Sequence, residues 1–96
     1  MTWQEKLRQD LIQAGAAPNS FSIDKPEKFV MNLAKVADGY KVWFQNADGE
    51  FEAKVYPTIG EAVYELAARL LPGREAARLA AEWHDDKLVL YPGWQV

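Results

Sequence analysis

The tripeptide Ala-Asp-Gly occurs twice in this chain, at Ala37–Gly39 and at Ala47–Gly49. The residues around the second copy alternate. Tyr40, Val42 and Phe44 interleave with Lys41, Trp43 and Gln45. Past the second corner, Phe51, Ala53 and Val55 interleave with Glu50, Glu52, Lys54 and Tyr56. A period of two in aromatic and branched residues marks strands. Asp-Gly between such runs marks a hairpin, because glycine, and to a lesser degree aspartate, accepts positive φ. Two such corners predict a three-stranded antiparallel meander.

A meander needs a strand ahead of the first corner, and residues 24–38 admit two readings. Asp24-Lys25-Pro26-Glu27 has the form of a helix start, and Lys28, Asn32 and Lys35 are spaced for a helix. Against that, Phe29, Met31 and Leu33 alternate with Lys28, Val30, Asn32 and Ala34. The strand over 28–36 is preferred because it completes the meander.

The flanks are helical. Thr2-Trp3-Gln4-Glu5 and Thr58-Ile59-Gly60-Glu61 both fit the capping box, in which a hydroxyl and a carboxylate satisfy free backbone N–H groups. Behind the first, Trp3, Leu7 and Leu11 form a stripe that Ile12 and Ala14 widen, with Lys6, Arg8, Gln9, Asp10 and Gln13 expected in water and Gly15 at the end. Behind the second, Ala62, Val63, Leu66, Ala67, Leu70 and Leu71 form the apolar face, and Glu61, Glu65 and Arg69 face out. Pro72-Gly73 stops it. A third helix over about 74–84 carries Ala76, Ala77, Leu79, Ala80 and Trp83. Phe21–Ile23 predicts a short strand. Asp85-Asp86-Lys87 predicts a turn, and "LVLY" a last strand before Pro92-Gly93.

The order is therefore α-β-β-β-β-α-α-β. It predicts one α+β domain over residues 1–96, with an antiparallel meander of three to five strands packed against two or three helices in two layers. Hydrophobic residues at 49% supply a core for 96 residues and argue against disorder. The start, "MTWQEKLRQDL", is charged and lacks a signal-peptide core, and no apolar run approaches the roughly 18 residues that span a bilayer. The expectation is a cytoplasmic protein with no membrane partner.

Chemistry is hard to find. With no cysteine, disulfides and thiolate metal sites are excluded. A calcium loop needs several oxygen ligands at alternating positions, and each Asp-Gly corner offers one aspartate, with Asn46 and Glu50 near the second. A phosphate loop needs more glycine and a helix start. Both corners are read as turns. His84 is the only histidine, beside Glu82, Asp85 and Asp86. It is read as a helix-end residue favoured by the negative pole of the dipole. Ser20 and Ser22 sit in no activating motif. No catalytic residue, metal or cofactor is assigned. A net charge of −3 disfavours nucleic acid, which needs a basic stripe.

What remains is a surface. If Val42 and Phe44 face the helices, Trp43 faces away. If Phe51, Ala53 and Val55 point inward, Tyr56 points outward among Asp48, Glu50, Glu52 and Lys54. A tryptophan and a tyrosine inside a charged rim have the form of a protein-binding hot spot. Equally, Trp43 can be covered by loop 16–27 or by the C-terminal "LVLYPGWQV".

The stretch "DGYKVWFQNADGEFEAKVYPTIGEAVYELAARLL" joins a Gly-aromatic-x-Val strand, an acidic hairpin, a second strand, and Thr-x-x-Glu-Ala opening an amphipathic helix. Over about residues 38–71 it resembles small bacterial immunity proteins of polymorphic-toxin and contact-dependent inhibition systems. The resemblance implies a non-enzymatic inhibitor that binds a cognate toxin domain and blocks its active site. It carries no functional residue over to this chain. A homodimer acting as a structural or regulatory subunit, formed through the sheet edge or the Trp43 face, is the alternative. A small enzyme is the third reading.

Overall fold

The computed structural model describes residues 2–83. The predicted turn at 85–87, the strand "LVLY" and His84 lie outside the described residues. The elements are α1 (Trp3–Gln13), β1 (Phe21–Ile23), β2 (Met31–Val36), β3 (Gly39–Gln45), β4 (Glu50–Tyr56), α2 (Ile59–Leu70) and α3 (Gly73–Glu82). The α+β architecture is as expected, with four strands in the order β1-β2-β3-β4. The ambiguous segment is a strand, although it begins at Met31 and not at Lys28.

Both threonine caps form. Thr2 Oγ1 accepts the N–H of Glu5, and Thr58 Oγ1 accepts that of Glu61. The first hairpin closes through Val36 and Gly39. Gly39 has a φ of +148°, and a Cβ there would lie 2.1 Å from the carbonyl oxygen of Tyr56, so this corner requires glycine on two counts. In the second corner Asn46 Oδ1 accepts the N–H groups of Asp48 and Gly49. One of the corner's side-chain oxygens is therefore occupied by the turn itself.

One face of the sheet and all three helices share a single core. Phe21, Met31, Leu33, Tyr40 and Val42 pack with Trp3, Leu7 and Leu11 of α1, with Ile59, Ala62, Val63 and Leu66 of α2, and with Ala76 and Leu79 of α3. Trp3 meets Tyr40 edge to face at 5.8 Å. Ala77, expected on the α3 stripe, is exposed.

Three features differ from expectation. First, β1 runs parallel to β2, so the sheet is mixed. Asp24 makes the return possible. It takes a φ of +59°, and its carboxylate accepts the N–H of Lys35 and the amide of Gln4. Second, Asp10 is buried, 8% exposed. Its carboxylate accepts the indole N–H of Trp83 at 2.8 Å and pairs with Lys6. Third, β4 carries a bulge. Val42 pairs with Lys54 and Phe44 with Phe51, so Glu52 and Ala53 together oppose Trp43. Glu52 takes a φ of +53°. The extra residue reverses the facing of everything after it.

Candidate functional site

The bulge corrects the expected orientation of β4. Tyr56, expected to point outward, pairs with Tyr40 and packs against the core. Phe51 and Val55, expected inward, are 54% and 43% exposed. Trp43 lies on the face away from the helices, as its alternation predicted, but is only 4% exposed. Of the two alternatives for Trp43, the covered one obtains. Its indole N–H donates to Gln45 at 2.9 Å, and Lys41 Nζ lies 5.0 Å from its ring centroid. Its register partner Asn32 is also buried and fastens the loop before β2, accepting the N–H of Glu27 and donating to the carbonyls of Glu27 and Val30. Trp43 thus offers little area to a partner.

The acidic residues of the hairpin are mostly compensated. Glu50 pairs with Lys41 at 2.6 Å. Glu52 reaches Arg69 of α2 at 2.8 Å, and Glu65 reaches the same guanidinium at 3.0 Å. Those two carboxylates, through hydrogen bonds from Glu52 first and Glu65 second, hold Arg69 above its ordinary pKa. Lys54 Nζ lies 5.3 Å from the Tyr56 ring centroid. Asp48 stays exposed in the turn. Four of the six expected contact residues, Asp48, Glu50, Glu52 and Lys54, are therefore on the surface, while Trp43 and Tyr56 are largely withdrawn from it.

Taken with α2, the β4 edge forms a different surface from the expected one. Tyr64 on the outer side of α2 is 50% exposed. Between it and β4 lies a shallow groove floored by Val55, Tyr56 and Pro57 and rimmed by Lys54, Glu61 and Glu65. The Tyr56 pKa is raised, by burial first and then by the neighbouring Glu65 carboxylate. Phe51 stands further along the same strand, beyond the Glu52–Arg69 bridge.

Tyr64 was not among the expected contacts, although an aromatic residue off the α2 stripe was a signal that could have found it. The exposure of Val55 was not legible, because the bulge turns it to the other face, whereas Phe51 shares the face of its partner Phe44 and stands exposed on the edge strand. A second, more polar concavity lies under α1. There Arg8 sits 5.4 Å from the Phe21 ring centroid and Gln4 Oε1 is buried without a partner. It holds no nucleophile–base pair. Among the described residues no three histidine, cysteine, aspartate or glutamate side chains gather to hold a metal, and no helix is long and apolar enough to cross a membrane.

No protein-family model, curated protein or solved structure matches this chain.

Proposed function

We propose that this chain is a non-enzymatic protein-binding module, of the kind represented by bacterial immunity proteins, and that it docks a cognate toxin domain on the β4–α2 face. The observation that carries this reading is the exposure of Val55 and Tyr64 at one groove with a charged rim, with Phe51 exposed further along the same strand. Apolar groups clustered in this way supply binding energy, and a charged rim supplies register and selectivity.

The contact is made by side chains and not by an added strand. β4 is an edge strand, but its bulge and its charges at Glu50, Glu52 and Lys54 guard it against edge-to-edge pairing. Because Glu50 and Glu52 are already paired, the partner is held by the aromatic and aliphatic contacts more than by a bare acidic hairpin.

The test is co-expression with the product of the neighbouring gene. The reading expects a stoichiometric complex and neutralisation of that product's toxicity, both lost on Phe51→Asp with Tyr64→Ala. Light scattering on the protein alone separates a monomeric inhibitor from the homodimer alternative.

A further inference from the structure

Glu52 is a glutamate in a conformation that suits glycine. Its φ of +53° lies in the left-handed region, where a residue with a Cβ is strained. It stands at the bulge of an edge strand, with no further strand to fix it from the other side. The strand is thinly held, since every residue from Glu50 to Val55 is exposed. A strained residue persists only where its surroundings over-determine it.

The alternation in the sequence suits a different register. Phe44 pairs with Phe51. With no bulge, the ladder would run on with Trp43 against Glu52, Val42 against Ala53, Lys41 against Lys54 and Tyr40 against Val55. Ala53 and Val55 would then share the face of Phe44, and Tyr56 would turn outward. The bulge instead leaves Ala53 and Val55 exposed and brings Tyr56 to the core.

Arg69 of α2 holds the strained register. Its Nη1 donates to Glu52 at 2.8 Å, and its Nε donates to Glu65 at 3.1 Å. In a regular strand Glu52 would share the face of Trp43, away from the helices and so from Arg69. Between the two registers Val55 and Tyr56 exchange faces, so the apolar burial of one largely offsets that of the other. An exposed ion bridge and a strained φ are both small terms, and the balance between them decides.

We infer that Arg69 is the positioning residue of the docking face. By holding Glu52 in the bulge it selects the register that exposes Val55, and without it β4 slips by one residue into the regular ladder. The shift is taken up in the Pro57-Thr58 connection to α2. The inference deepens the protein-binding reading above and rests on it for the consequence of the slip, which is loss of the groove floor at Val55 and Tyr56.

The chain has no cysteine, so disulfide trapping reports the register directly. Lys41→Cys with Val55→Cys are partners in the bulged ladder, and Lys41→Cys with Lys54→Cys in the regular one. Each pair is oxidised in three backgrounds: wild type, Arg69→Ala, and Arg69→Ala with Glu52→Gly. Glycine relieves the strain at positive φ and returns the balance to the bulge without the bridge. Circular dichroism and affinity for the neighbouring gene's product are measured on the same three backgrounds without the cysteines. The expected results are folded proteins throughout and faster trapping of the 41–55 pair in wild type. Arg69→Ala should reverse that preference and weaken binding at least about tenfold, and Glu52→Gly should restore both. A trapping preference unchanged by Arg69→Ala overturns the inference, as does loss of fold in that variant, since the slip leaves the fold intact. A reversed preference with unchanged affinity overturns the link between register and docking. Trapping needs no partner, so absence of any wild-type complex removes the protein-binding reading, and the docking role of Arg69 with it, while the register is still decided.

Discussion

Phe44 and Phe51 are register partners across the β3–β4 ladder, yet Phe44 packs against the core while Phe51 stands 54% exposed. The pair separates a core residue from a surface residue of the same type. Phe44→Ala removes ring area from the core edge and is expected to cost about 2 kcal/mol, below the full-core value because the ring is only half-buried. Phe51→Ser is expected to stay within about 0.5 kcal/mol of wild type. Urea unfolding of both variants checks this. A large loss for Phe51→Ser would show that the ring belongs to the core.

Gly39 and Gly49 share the left-handed region, at φ +148° and +151°, but only Gly39 is crowded. Gly39→Ala is expected to cost about 2 kcal/mol or more, because the new methyl meets a backbone oxygen that cannot move away. Gly49→Ala meets nothing within 4 Å and is expected to cost about 1 kcal/mol of conformational strain alone. Thermal melts should rank the two in that order.

The bond from Trp83 to Asp10 joins positions 73 residues apart and is buried. Trp83→Phe keeps most of the ring and deletes the donor. A hydrogen bond to a charged group of this kind is worth about 1.5–3 kcal/mol, and the variant should lose about that much. A double-mutant cycle with Asp10→Asn should show coupling well above that of distant pairs.

Tyr56 makes stability depend on pH at the alkaline end. Burial first, then Glu65, raises its pKa in the folded state. Above the unfolded value of about 10, the unfolded chain releases a proton that the folded protein keeps. Its contribution is therefore complete below about pH 10 and is lost as pH rises through the folded pKa. Tyr56→Phe should flatten the fall in stability between pH 9 and pH 11 relative to wild type. An identical slope in the two proteins would show that the hydroxyl is not held by its surroundings.

The fold was legible where local chemistry decides local shape. Thr2 and Thr58 cap their helices because a hydroxyl three residues ahead of an acid can do little else there, and Gly39 and Gly49 close the corners that only glycine fits easily. The strand at Met31–Val36 followed from those corners and not from its own pattern, which also suited a helix. The bulge was hidden because its left-handed residue is Glu52, a type that gives no such signal. Everything about the surface that depends on it was hidden as well, including the exposure of Val55 and the inward turn of Tyr56. The parallel β1 was illegible because so short a return falls below the usual crossover of a dozen or more residues. Asp10 read as a solvent residue because its partner lies near the other end of the described chain. Trp43 was placed on the correct face, but its burial, with Gln45 bonded to the indole and Lys41 beside the ring, did not follow from its alternation.

Calorimetric titration of the neighbouring gene's product into wild type and into the Phe51→Asp, Tyr64→Ala double variant is the most direct test, with both proteins first shown by circular dichroism to be folded. The account predicts a one-to-one complex for wild type and binding weakened at least a hundredfold, on the order of 3 kcal/mol, for the double variant. Equal affinity for the two proteins would contradict the assignment of the β4–α2 face as the docking surface.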